Sequence, residues 1–261
     1  MCDFFALYDC LCDNIRSDER ILSTVSGDIW ALAETEQHSG MAMHVHGTSR
    51  PAMLPDGLYR MPLRRAAEAL KSWNSTEASL AMAAVNAFYN TEERLSELHC
   101  SEPFENYCTR GIDFRGKTVG IVGHMHGTDE MRRDAEKIFI LEREPRGGDY
   151  PDPACDYLLP QCDIVLITGS AITNKTLPHL LDLCRSAYTI LVGPSVPMCP
   201  ELFGFGIDRL SGLVITDRYG IRERVQSGAG GSPYSHGKSF LLVNHNHRPC
   251  RWFALAPLGH D

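Results

Sequence analysis

The sequence predicts an α/β protein: a doubly wound parallel sheet preceded by a smaller α+β unit. Three observations carry this. From Lys117 onward, short β-branched runs alternate with helical segments. Each run stops at small or polar residues, as buried parallel strands do. The region before it follows another plan, with a hairpin-like pair of extended segments and an alanine-dense helix.

Taken in order, Asp3 to Asn14 spaces Phe4, Leu7, Tyr8 and Leu11 at near-helical intervals, which predicts an opening amphipathic helix. Asp28–Glu34 and Gly40–His46 flank a polar turn and predict paired strands, with His44 and His46 on one face. Pro51, Pro55 and Gly57 mark a loop, and Pro62–Ser72 reads as a helix with proline in its first turn. Ser75–Tyr89 is a second helix whose alanines imply close packing. The polar stretch Glu92–Gly111 lacks periodicity, so we expect an α+β domain over 1–105 and a second domain over 112–220.

In the second domain, strands are expected at Thr118–Val122, Ile138–Leu141, Ile164–Thr168, Ile190–Val192 and Leu213–Ile215. Helices fall between them at Asp129–Glu136, Pro153–Leu159, Thr176–Ser186 and Pro200–Phe203. This order is Rossmann-like, and ligands in such sheets bind beyond the carboxyl ends of the strands. Gly123, His124, His126, Glu142, Thr168, Gly169, Ser170, Gly193, Pro194 and Ser195 occupy that edge. Residues 221–261, glycine-rich at first, read as a partly irregular C-terminal arm with a late strand at Phe240–Val243.

Composition narrows the function. A net charge of −8 and the lack of any basic cluster interleaved with aromatics disfavour a nucleic-acid partner. No apolar run approaches the roughly 20 residues that cross a bilayer. The amino-terminal segment has acids where a signal peptide has bases, so a cytoplasmic protein without a membrane partner is expected. The ten cysteines are scattered with no CxxC pair, which points to reduced, mostly buried thiols.

Gly120, Gly123 and Gly127 invite comparison with a dinucleotide fingerprint, and Glu142 stands about 20 residues on, where an acid would hold a ribose. The match is imperfect: His124 and Met125 follow Gly123 where a glycine is needed, and Asp129 and Glu130 open the next helix where phosphate would sit. Metal binding competes. His-x-His pairs stand at 44/46, 124/126 and 245/247, and extended spacing puts both imidazoles of a pair on one side. The pair at 124/126 lies on the ligand edge, with Glu142 available from the neighbouring strand end.

Several long segments recur together here: GIVGH, LEREPRGGDYPDPACDYLLPQCDIVLITGS, TNKTLPHLL and LVGPSVPMCPELF, preceded by GMAMHVHG and SWNSTEASLAMAAVNAFYN. The later group resembles the DUF364 heavy-metal chelation family, and the earlier one resembles the DUF4213 domain that accompanies it. The resemblance implies an enolase-N-terminal-like first domain, a Rossmann-like second domain and a site in the cleft between them. It implies ligand contacts from Gly123, His124, Glu142, Asn174, Thr176, Pro194 and Ser195, with motif positions also at Asn74, Asn86 and Asp149. On this reading a transition-metal ion is held by His124 and Glu142, with His126 a further candidate ligand, and the partner is that ion or a metal-chelating small molecule. A homo-oligomer is compatible with this. The alternative is an enzyme acting on a nucleotide-like or pterin-like molecule, with Glu142 or His124 as acid or base.

Overall fold

The computed structural model describes residues 5–47, 50–98, 100, 108–125, 129–228 and 232–245. The opening amphipathic run folds as α1 (Ala6–Asp13), which buries Leu7, Tyr8, Leu11 and Cys12. The hairpin is present as β2 (Trp30–Glu34) and β3 (Ser39–Met43), and a further antiparallel strand, β1 (Ser23–Ser26), pairs with β2. The four residues of β1 include one apolar side chain, so no alternation announces them. They are extended because β2 supplies hydrogen-bonding partners.

Next come α2 (Leu63–Ala67), which runs on into a 3₁₀ turn, and α3 (Ser75–Tyr89). Asn74 caps α3 by accepting from the Glu77 backbone N–H at 3.0 Å, as the family motif position becomes an N-cap. The helix lies flat on the small sheet at Gly40. A Cβ added to Gly40 would stand 2.1 Å from the Ala87 nitrogen and 2.2 Å from the Ala83 oxygen. Nearly every side chain of α3 is buried, since its other face meets the second sheet's loops. A short helix, α4 (Glu92–Glu97), occupies the stretch expected to be irregular. It buries only Leu95, too little for a periodic signal, but Thr91 caps it and Glu92 and Glu93 open it.

The second half supplies β4 (Thr118–Val122), α5 (Asp129–Asp134), β5 (Lys137–Glu142), β6 (Tyr150–Pro151), α6 (Cys155–Leu158) and β7 (Ile164–Thr168). It continues with α7 (Ser170–Thr173), α8 (Leu177–Leu183), β8 (Tyr188–Val192), β9 (Arg209–Ile215), α9 (Arg218–Ser227) and β10 (Gly237–Val243). Among the described residues the strands make a three-stranded sheet, β1-β2-β3, and a seven-stranded sheet ordered β10-β9-β8-β7-β4-β5-β6. Only β10 runs antiparallel to its neighbour in the larger sheet. Val119, Ile121, Ile164 and Leu166 enter one apolar cluster, while Val122, Val165 and Ile167 enter another on the opposite face. Burial on both faces is why these strands read as unbroken apolar runs.

The late strand expected at Phe240–Val243 is present as β10, and the stretch just after Asp217, which reads as irregular, holds α9. Ile221 and Val225 of α9 pack with Trp30 and Leu32 of β2, Met41 of β3 and Leu213 of β9. Arg218 donates to Ser39 Oγ and to the carbonyls of Thr35, Glu36, Gln37 and His38, gripping the β2–β3 turn. Two apolar residues in a charged helix are too few to show a stripe, so the hold lies in contacts distant along the chain. No helix among the described residues is long and apolar enough to cross a membrane.

Candidate functional site

The larger sheet begins in its middle. From β4 the chain winds outward to β5 and β6, then returns to place β7 on the other side of β4. Strand order therefore reverses between β4 and β7, and open α/β sheets form their ligand crevice at such a point. Gly123 ends β4 with φ +97°, and a Cβ there would stand 3.0 Å from Thr168 Cγ2 at the end of β7. Both constraints require glycine, and together they close the β4 and β7 ends on each other.

His124 follows at once and lies between two carboxylates. Its Nε2 is 2.6 Å from Asp149 Oδ2, and its Nδ1 is 3.4 Å from Glu142 Oε2. Glu142 Oε2 also accepts the His124 backbone N–H at 3.0 Å, and Oε1 accepts the Arg143 N–H at 2.8 Å. The acid that would hold a ribose in a dinucleotide site thus turns back toward the end of β4. Asp149 Oδ2 accepts the Arg146 N–H at 2.8 Å. That backbone bond, with the adjacent imidazole second, holds the Asp149 carboxyl below the usual carboxylate range.

The donor separations assign different parts to the two carboxylates. Ligands about 2.1 Å from one ion at tetrahedral or octahedral angles lie roughly 3.0–3.4 Å apart. The His124 Nδ1 to Glu142 separation falls in that range, and the His124 Nε2 to Asp149 separation is a hydrogen-bond length. The two carboxylates also face different ring nitrogens, so a single ion cannot bind both beside the same nitrogen. Among the described residues, no group of three or more His, Cys, Asp and Glu side chains could by itself hold a metal ion. His126 lies outside the described residues. His124 and Glu142 therefore fit a metal as a two-donor set of imidazole nitrogen and carboxylate oxygen, suited to borderline rather than soft ions.

The other expected site residues sit on the same edge with partners of their own. Asn174 Oδ1 accepts from the Thr176 N–H at 3.0 Å and the Thr176 hydroxyl at 2.6 Å, a local turn leading into α8. Ser195 is buried, and its Oγ accepts the Met43 N–H at 2.7 Å. The Pro194 carbonyl accepts from Asn86 Nδ2 at 3.1 Å, and the same nitrogen donates to the Met41 carbonyl at 2.8 Å. One turn on, Asn90 Nδ2 donates to the carbonyls of Val196 and Leu213, while its Oδ1 accepts the Met198 N–H. Asn86, Asn90 and Ser195 thus join α3 and β3 to the loop after β8.

The His44/His46 pair, just past β3 of the first sheet, is engaged locally. The His44 and His46 rings lie side by side, tilted at 45° with centroids 4.5 Å apart. Both His44 nitrogens have partners, Gly27 O at 2.7 Å and Thr76 Oγ1 at 3.0 Å, and His46 Nε2 meets Asp28 O. His247 lies outside the described residues. The cysteines among the described residues are free, and burial pushes the thiols of Cys12, Cys155 and Cys184 up to about 12, which makes them poor thiolates.

Nothing in the sequence singles out Lys175 from its polar neighbours. It is buried, carries φ +66° without being glycine, and lies inside the TNKTLPHLL segment. A lysine in a polar stretch reads as solvated surface, and the left-handed backbone has no signature in its identity.

Comparison with known proteins agrees with this architecture. The DUF364 family, described as "Putative heavy-metal chelation", matches residues 112–244, and DUF4213, with the same description, matches residues 8–89. A crystal structure of a DUF364 protein of unknown function from Desulfitobacterium hafniense is 33% identical, with a TM-score of 0.83 over 92% of this chain and 98% of that one. Another from Pyrococcus horikoshii, 20% identical with a TM-score of 0.73 over 91% and 100% of the two chains, shares the fold. Uncharacterized protein MJ0500 of Methanocaldococcus jannaschii is 32% identical over 161 residues, 56% of this chain, and the chain spans 58% of that relative's length. With its profile match over the second half of the chain and a structural neighbour that is similar along nearly its whole length, the protein belongs to the DUF364 family.

Proposed function

We propose that this protein binds a metal ion carried by a chelating small molecule, in a cleft at the sheet edge where His124, Glu142 and Asp149 meet. The observation that carries the reading is His124 set between two carboxylates at the point where the strand order reverses. Nδ1 and Glu142 Oε2 would be the direct ligands. Asp149 at Nε2 orients the ring and raises its basicity, the usual part of an outer carboxylate on a ligating histidine. Two protein donors leave coordination positions open, which favours a chelated metal over a bare ion held by protein alone. The bound ion would supply a Lewis-acidic centre for nitrogen and oxygen donors. The family description supports the metal in general terms; the residues, and the division between domains that makes the cleft, belong to our reading.

The test is elemental analysis of freshly purified protein, followed by calorimetry with zinc, nickel, cobalt and manganese, each offered both as the free ion and as a small-molecule chelate. We expect stoichiometric binding that is lost in His124→Ala and Glu142→Gln and weakened about 10- to 100-fold in Asp149→Asn. Absence of stoichiometric binding, or full binding by His124→Ala, would overturn the proposal. A thermal shift produced by nucleotides or pterins without metal would instead favour an enzyme using His124 or Glu142 as acid or base.

A further inference from the structure

Lys175, in the segment that follows β7, combines three features seldom found in one lysine. Its side chain is buried, with 8% of the residue exposed. Its backbone is left-handed at φ +66°, a conformation L residues with a Cβ seldom adopt and which concentrates at functional sites. Its Nζ donates to the Thr173 carbonyl at 2.9 Å, which leaves further N–H donors of the ammonium to place. Thr173 is 2% exposed, and its hydroxyl has no hydrogen-bond partner. The cationic donor therefore bonds the carbonyl of the residue that carries the orphaned hydroxyl, in the interior, where each group costs free energy unless something meets it.

The surroundings define what would meet them. Glu77 is the acid whose field reaches Lys175, but its carboxylate oxygens are taken by the N–H groups of Met53 at 2.8 Å and Leu54 at 2.6 Å. The Trp73 ring, 54% exposed, has its centroid 5.9 Å from Nζ and offers an apolar wall beside the charge. Burial lowers the amine's pKa to about 8 against the opposing pull of Glu77, which marks a cation short of compensation.

We propose that Lys175 Nζ and Thr173 Oγ1 form a subsite for one carboxylate group of a small-molecule ligand, with Trp73 flanking the ligand's body. A single ammonium matches a single negative charge, and the field of Glu77 disfavours a dianionic phosphate. The subsite stands on its own observations and does not require the metal reading. If the ligand is a carboxylate chelator, the two sites describe one molecule.

The test uses the full chain stripped of metal on a chelating resin, with no soluble chelator present. Calorimetry and thermal shift are run with acetate, malonate, citrate and inorganic phosphate at matched ionic strength, on the wild type, Lys175→Met, Thr173→Val and His124→Ala. At 100 times its dissociation constant a bound carboxylate multiplies the folded-to-unfolded ratio about 100-fold. We expect that response in the wild type and in His124→Ala, its loss in Lys175→Met, and at least a tenfold weaker affinity in Thr173→Val. Should Lys175→Met fail to fold, Thr173→Val decides alone. The proposal is overturned if no carboxylate binds the wild type at millimolar concentration, or if both variants bind as the wild type does. A response to phosphate alone, or one lost in His124→Ala, also overturns it. Metal calorimetry on the same proteins reports separately on His124 and Glu142, so failure of either reading is distinguishable from failure of the other.

Discussion

At the scale of single residues, the chain spends its polar side chains in two ways that the sequence does not distinguish. The resemblance to the family marks both Asn86 and His124, the first as a motif position and the second as a ligand contact. Asn86 is 1% exposed and bridges the Met41 and Pro194 carbonyls, so its work is to join two parts of the protein. His124 faces two carboxylates on the ligand edge. Replacing Asn86 with alanine leaves two carbonyls without their donor, at about 1–3 kcal/mol for each buried group left unmet. We expect Asn86→Ala to lose about 2–4 kcal/mol in a urea titration. A loss under about 0.5 kcal/mol, typical of a surface change, would mean that the joint does not depend on this side chain.

At the scale of elements, α3 organises the protein more than any strand does. Its alanines predict close packing, and Gly40 is the matching feature on β3. In Gly40→Ala the new methyl would meet backbone atoms at 2.1 and 2.2 Å, and backbone cannot turn aside as a flexible side chain can. Helix and sheet must then separate, and the carbonyls served by Asn86 and Asn90 move with them. We expect Gly40→Ala to cost at least about 2–3 kcal/mol, read as a lowered denaturation midpoint. Wild-type stability in that variant would show that α3 can shift freely over β3. The elements that escaped the pattern, β1, α4, β6, α7 and α9, are short or polar, and each bears too few apolar side chains for a period to emerge.

For the whole molecule, the buried amine of Lys175 makes stability depend on pH with a definite sign. Its folded pKa, about 8, lies below the ordinary lysine value near 10.4. Below pH 8 both folded and unfolded chains carry the charge, and the folded state bears the cost of burying it. Above pH 8 the folded chain releases the proton while the unfolded chain keeps it, so this group makes stability rise with pH, by up to about 1.4 kcal/mol per unit, until the unfolded lysine titrates. Buried thiols act oppositely: Cys12, Cys155 and Cys184, raised to about 12, lower stability as pH climbs past the ordinary thiol range. The difference between proteins isolates the lysine. We expect Lys175→Met, compared with the wild type between pH 8 and 10, to gain less stability or lose more as pH rises. Parallel curves for the two would show that the amine is not held in a desolvated site.

Much of this architecture is legible in the sequence, and the division follows the range of the forces involved. The sequence by itself determined β4, β7 and α3 to the residue, because burial on both faces or close helix packing writes an apolar pattern within a few neighbouring positions. It also put His124 and Glu142 at adjacent strand ends, since a strand's end is marked locally by glycine or charge. Tertiary structure alone decided which polar residues look outward. Asp149 reaches His124 from a loop seven residues past β5, Ser195 turns inward to Met43, and Lys175 is buried beside Thr173, because each depends on what lies across from it and that partner is distant in the chain. The same physics set α9 on the small sheet: its grip is one arginine and two apolar side chains, and they acquire meaning only where β2, β3 and β9 come together.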